Sequence, residues 1–233
     1  PLFRALAARL GADHYRLYIT THHIAVDGPS VQILVDELAR AYDACCSDEI
    51  PQLQQLQHSY SDCIAYQRTE QAQLLETQLD YWRKELAGDL PAADLPEDFN
   101  TDGAHRGDRQ QFALPQELHS ELRSYAKERE TTVFTVLLAA FQALLWRYAE
   151  HDDVLVGIAS ATRNQPGAQE LIGFFANTLP VRITFESNIT FDDLVGRVHE
   201  KVRAARERDA TPFERILGAV RPKRQTGLVP LVH

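Results

Sequence analysis

The segment from Tyr15 to Thr21 (Tyr-Arg-Leu-Tyr-Ile-Thr-Thr) is dense in β-branched and aromatic residues and predicts a strand. It runs into His22-His23 and then into Asp27-Gly28-Pro29-Ser30, a concentrated turn signal. From Val31 the pattern changes period. Val31, Leu34, Val35, Leu38, Ala41 and Tyr42 share one helical face, and Ser30 is a fitting N-cap. A double histidine therefore stands where a strand hands over to a helix.

Further along, Leu74, Leu75, Gln78, Tyr81 and Trp82 are spaced for a partly buried helix over Gln67 to Ala87, with Gly88 as its stop. Between Asp89 and Gly107 the chain turns to Pro, Asp, Ala and Gly with little periodicity, which marks a linker. Arg109 to Leu114 reads as a short strand, and Pro115 suits the first turn of a helix running to about Glu130. Thr132 opens an apolar helix through Tyr148. Its apolar residues (Val133, Val136, Leu137, Ala140, Phe141, Leu144, Leu145) cover more than one face, which predicts a central, buried element. Val154 to Ala159 reads as a buried strand, Arg163 to Gly167 as a turn, and Thr178 to Phe185 as another strand. Thr190 can cap an amphipathic helix to about Asp209. The expectation is an α/β chain in two lobes, residues 1–95 and 108–233, joined by a linker at 96–107.

Composition narrows the classes. Hydrophobic residues are 44% and charged residues 24%, which is ordinary for a globular protein and argues against disorder. No apolar run approaches bilayer length, and no charged-then-apolar leader opens the chain. A net charge of −9 disfavours a polyanionic ligand. The basic stretch Arg221, Lys223 and Arg224 reads as a solvated loop. Cys45, Cys46 and Cys63 match no zinc spacing, and an odd count makes a poor disulfide framework, so a reducing cytoplasm is expected. They read as small apolar fillers, since none lies beside a candidate base. The chain starts at Pro1 rather than Met and stops at His233, which reads as a fragment of something longer.

The main chemical feature is His22-His23-Ile24-Ala25-Val26-Asp27-Gly28. Were the strand to continue through both histidines, alternation would send their side chains to opposite faces, so the two cannot have equal roles. Imidazole exchanges a proton readily near neutrality. Asp27 can orient the turn through backbone N–H groups or an arginine partner, and Gly28 would permit a positive φ where the chain reverses. Taken alone, these residues fit equally well a simple Asp-Gly turn beside two ordinary histidines.

This heptapeptide resembles the HHxxxDG signature of condensation domains of nonribosomal peptide synthetases and of their acyltransferase relatives. Later segments agree in order. Tyr60-Ser61-Asp62-Cys63-Ile64-Ala65-Tyr66 is similar to the family's Tyr-x-Asp-Tyr/Phe-Ala-x-Trp segment, with Cys63 and Tyr66 as departures and Ile64-Ala65 shifted. Gln78-Leu79-Asp80-Tyr81-Trp82 resembles its next helix. Ile172 to Arg182 is close to the condensation-specific IGxFVNTLxxR, with Ala176 for valine. Pro212-Phe213-Glu214 matches the following motif, although Arg208-Asp209-Ala210 replaces the usual His/Asn-Gln-Asp. The upstream motifs would precede Pro1, and the last would begin near Arg224, where Gln225-Thr226-Gly227 fits poorly.

The resemblance implies a two-lobed chloramphenicol-acetyltransferase-like fold, here truncated at both ends. It makes His23 the catalytic residue and His22, Asp27 and Gly28 motif residues of structural weight. Asn177 and Arg163 become candidate crevice-lining residues. Arg163 either lies at the surface or approaches Asp27 across the lobes. Trp82 and Trp146 read as core aromatics, and His105, His119, His151 and His199 as surface residues.

The implied reaction is amide formation: the amine of a carrier-bound aminoacyl group attacks a carrier-bound acyl or peptidyl thioester. Both substrates arrive on phosphopantetheine arms, and the domain itself binds no cofactor and no metal. The implied partners are donor and acceptor peptidyl carrier domains and an adjacent adenylation domain. His23 either takes the amine's proton or positions the amine and stabilises the tetrahedral intermediate. An α-amino group with a pKa of about 7.7–8.0 makes only a modest demand on a base. The alternatives are a stand-alone acyltransferase using coenzyme A, an epimerisation domain, and a non-catalytic docking scaffold for carrier proteins.

Overall fold

A computed structural model describes residues 1–70, 72–91, 109–149, 151–165 and 167–221. The expected linker at 96–107, His105, Lys223 and the segment from Arg224 to Gly227 lie outside the described residues.

Strands β1 (Phe3–Arg9) and β2 (Tyr15–Thr21) form an antiparallel pair running from Phe3 opposite Thr21 to Arg9 opposite Tyr15. The second strand has the bounds its composition predicts; the first has no counterpart among the expected elements. Helix α1 (Gly28–Cys46) follows a short 3₁₀ turn at His23–Ala25. Its N-cap is Asp27, whose carboxylate accepts the Ser30 N–H, so Ser30 lies inside the helix rather than capping it. Pro29 occupies the first turn, where an N–H would have no intrahelical partner.

Where the spacing predicts a single helix over Gln67 to Ala87, the structure has α2 (Tyr60–Thr69) and α3 (Ala72–Glu85). A capping box between Ser59 and Asp62 starts α2 upstream, and only Cys63 of that helix is buried, so apolar periodicity gives little sign of it. Helix α4 (Gln116–Glu128) has Pro115 at its N-cap, one position before the expected first turn. Residues 109 to 114 form no strand; no described strand pairs with them, and Phe112 stands in solvent.

Helix α5 (Val133–Tyr148) begins at the predicted cap, Thr132, but is not buried all round. Val136, Leu138 and Ala139 face the core, whereas Phe134, Leu137, Phe141, Leu144 and Tyr148 are exposed. Strands β3 (Asp153–Ala161) and β4 (Ala176–Thr184) pair, α6 (Phe191–Arg206) is capped by Thr190 as expected, and α7 (Phe213–Val220) follows Pro212.

The chain divides into two compact units. One comprises 78–158 and 178–233 and holds a continuous apolar core in which Trp82, Leu86, Leu179, Val181, Val198 and Ile216 are fully buried. Trp146 is half-buried, stacked on Phe185 with ring centroids 4.7 Å apart, and donates its indole N–H to Asp152 at 2.9 Å. The other unit comprises 1–77 and 159–177, and its apolar cluster is small: Cys63, Ala168, Leu171 and Phe175. Cys63 fills core space as expected, whereas Cys45 and Cys46 are exposed and fill none. His119 is exposed as expected, but His151 and His199 are half-buried, and His199 is bonded to Thr131 at 2.8 Å.

Candidate active site

Strand β2 stops at Thr21, so the two histidines are not sorted by strand alternation; the 3₁₀ turn gives them different tasks. His22 Nδ1 accepts the Ile24 N–H at 3.1 Å and caps that turn. His23 Nδ1 lies 2.9 Å from the Val26 carbonyl oxygen. A carbonyl only accepts, so His23 Nδ1 carries the proton and Nε2 of the neutral ring keeps its lone pair. His23 is exposed, with its ring edge-on to Phe174 at 5.5 Å between centroids. One histidine is thus spent on the backbone, and the other presents a basic nitrogen.

Beneath them lies a buried polar hub. Asp27 Oδ1 accepts from Ser30 N at 3.0 Å, from Ser30 Oγ at 2.6 Å and from Arg163 Nη2 at 2.7 Å, while Oδ2 accepts from Phe175 N at 3.0 Å. Ser30 Oγ also accepts from Arg163 Nη2 at 2.8 Å and Gly173 N at 3.0 Å. Its single proton has two acceptors in reach, Asp27 Oδ1 and the Gly173 carbonyl at 2.7 Å. Arg163 Nη1 donates to the Ala168 and Leu171 carbonyls at 2.6 and 2.7 Å, and the guanidinium lies over the Phe175 ring at 4.3 Å. All four Nη hydrogens of Arg163 are therefore used.

Burial works against the Asp27 charge. The Ser30 hydroxyl and N–H, the Arg163 guanidinium and the Phe175 N–H outweigh it and hold the carboxyl below its ordinary value. Asp27 stays ionised and is saturated with donors, so it fixes structure rather than exchanging protons. Of the two places open to Arg163, the structure has it buried against Asp27. Gly28 keeps a negative φ at the start of α1, and a side chain there would meet nothing within 4 Å, so the expected reversal is made without a special conformation. Asn177 is half-buried in β4.

Three further residues belong to this site although the sequence assigned them no part in it: Ser30, expected only as a cap, and Gly173 and Tyr60, seen only as members of motif-like segments. Tyr60 donates its hydroxyl to the Phe174 carbonyl at 2.9 Å, and its ring meets Phe175 edge-on at 5.1 Å. A Cβ on Gly173 would sit 2.4 Å from the Tyr60 ring, so only glycine allows this approach. The available signals are the glycine within Ile172–Arg182 and the tyrosine that opens the Tyr60–Tyr66 segment. Burial pushes the Cys63 thiol up, which removes it as a nucleophile. Among the described residues no group of histidine, cysteine and acidic side chains could hold a metal.

The fold is the chloramphenicol-acetyltransferase-like one of condensation domains. The chain belongs to the condensation-domain family, which matches it over residues 1–233. It is 37% identical over 99% of its length to the malpinin synthetase of Mortierella alpina, of which it spans 3%. It is 38% identical over 94% of its length to the beauvericin nonribosomal cyclodepsipeptide synthetase of Beauveria bassiana, of which it spans 7%. A solved four-domain nonribosomal peptide synthetase has the same fold, with a TM-score of 0.85, 21% identity, 100% of this chain covered and 18% of that one. The X-domain from teicoplanin biosynthesis superimposes with a TM-score of 0.80, 25% identity, 99% of this chain and 53% of that one; an X-domain structure in complex with OxyB is similar at 0.76, covering 99% of this chain and 52% of that one. The chain thus spans a small part of the curated relatives and about half of the X-domain.

Proposed function

We propose that the protein carrying this chain forms amide bonds in nonribosomal peptide synthesis, joining a carrier-bound acyl or peptidyl thioester to the amine of a carrier-bound aminoacyl group, with His23 as the catalytic residue. The observation that carries this reading is the Val26 carbonyl's hold on His23 Nδ1, which leaves Nε2 as an acceptor on an exposed ring. The amine nitrogen attacks the thioester carbon, the amide C–N bond forms, and the C–S bond breaks. The proton leaving nitrogen passes to His23 Nε2 and then to the departing thiolate. General-base assistance of this kind is worth roughly 10²–10⁴-fold. Alignment of two tethered reactants supplies a further share. Donor and acceptor carrier domains deliver the substrates on phosphopantetheine arms, and an adenylation domain loads them, in the cytoplasm. Membership of the condensation family and kinship with multidomain synthetases support these partners.

The test loads two carriers, one with an acyl donor and one with an aminoacyl acceptor, and follows the acceptor's mass with the whole protein and with His23→Ala. The acceptor should grow by the donor mass, and His23→Ala should slow this by roughly 10²–10⁴-fold. Transfer only from acyl-coenzyme A to a free small molecule would replace the reading with a stand-alone acyltransferase. The likeness to an X-domain solved in complex with OxyB supports a second reading, a non-catalytic docking scaffold, which would gain ground if no donor gave transfer.

A further inference from the structure

Phe174 stands at the x of the IGxFVNTLxxR pattern and is partly exposed (39%) beside the exposed His23 ring. Its backbone is held on both sides. The Gly173 N–H and carbonyl meet Ser30 Oγ, the Phe174 carbonyl accepts the Tyr60 hydroxyl, and the Phe175 N–H donates to Asp27. Asp27 and Ser30 also fix the turn that follows His23. One network therefore sets both the imidazole and the backbone beneath the Phe174 ring. The ring can hardly retreat by backbone movement, and it stays partly exposed next to the exposed imidazole.

We propose that Phe174 is a specificity-determining residue, the fixed wall against which the acceptor amino acid's side chain is sized as its amine reaches His23. This rests on the amide-forming reading of the site. The group that meets His23 Nε2 is the attacking amine, and its α-carbon is one bond away. The acceptor side chain thus begins two bonds from the nitrogen that touches His23, closer than any other variable part of either substrate. A ring centred 5.5 Å from the imidazole centre is within reach of a side chain that begins there.

Two measurements on the whole protein test it. In the first, carriers loaded with glycyl, leucyl and phenylalanyl acceptors compete for one donor. Phe174→Ala should raise the turnover of the largest acceptor relative to the smallest by about tenfold, Phe174→Trp should shift it the other way, and Phe174→Leu should fall between them. The change belongs in kcat rather than in the carrier's KM. In the second, diethyl pyrocarbonate acylates unprotonated histidine, and peptide mass mapping compares His23 with the exposed His14. His23 should react severalfold faster in Phe174→Ala and more slowly in Phe174→Trp, with His14 unchanged. Amide formation with an acceptor order indifferent to residue 174 would overturn the proposal. A His23 reactivity that ignores residue 174 would overturn it too, whether or not amide forms. Absence of amide in the unaltered protein, with His23 reactivity following residue 174, would sink the amide-forming reading and the acceptor assignment while leaving the wall.

Discussion

The two compact units of this chain are held by different physics. The unit of residues 78–158 and 178–233 buries a continuous set of aliphatic and aromatic side chains, several with no solvent exposure. The unit of residues 1–77 and 159–177 buries few apolar side chains and leaves Phe3, Leu6, Tyr15, Leu17, Val35 and Tyr42 in solvent. Its fixed point is instead the Asp27–Arg163 ion pair with Ser30, where the carboxylate and hydroxyl oxygens are matched to donors at defined distances. Apolar packing is non-directional and tolerates small shifts, whereas hydrogen bonds specify orientation. His23 lies in the second kind of environment, which suits the proton-exchanging role proposed for it.

The sharpest way to break this comparison is Arg163→Ala. It leaves the Asp27 carboxylate buried without its cation and strips donors from two carbonyls, so it should cost about 3–5 kcal/mol locally. Hydrogen exchange at the Gly173 and Phe175 amides should accelerate accordingly; unchanged protection would mean that the ion pair does not organise this unit. Leu179→Ala, in the apolar unit, should cost about 2–5 kcal/mol by loss of transfer free energy and the cavity left behind. Its denaturant midpoint should fall by the same amount at pH 5 and pH 8, since no titrating group is involved. Acid is the gentlest probe. The folded Asp27 carboxyl is held below its ordinary value, so its contribution is fully present above the unfolded-state pKa of about 3.9. That contribution is lost as the pH falls through the lower folded value. Exchange at Gly173 and Phe175 should be insensitive to Asp27 protonation from pH 5 to 8 and should rise only below about pH 4. A rise beginning near pH 6 would assign the hub's stability to a histidine instead.

Legibility in the sequence follows distance along the chain. The bounds of β2 and the caps Thr132 and Thr190 are readable because strand composition and capping act within a few residues. The cap of α1 is Asp27 and not Ser30; both are good caps, and their sequence does not say which one the rest of the protein engages. Residues 109–114 have a strand's composition, but among the described residues no strand pairs with them. The apolar residues around α5 suggest burial on all sides, whereas one face stands in solvent. Periodicity reports hydrophobicity and not what covers it. At the site, His23 and the motif around it are visible in the sequence, whereas Arg163 has two places open to it there.

The sequence by itself determined β2, the caps of α5 and α6 and, through its motifs, the family. Only the tertiary structure decided that Arg163 closes on Asp27 across 136 residues of chain, that Ser30 Oγ joins Gly173 across 143, and that Gly173 must lack a side chain to admit Tyr60. Such contacts carry no periodicity or spacing in the chain. They exist because a buried carboxylate must find donors wherever the fold brings them.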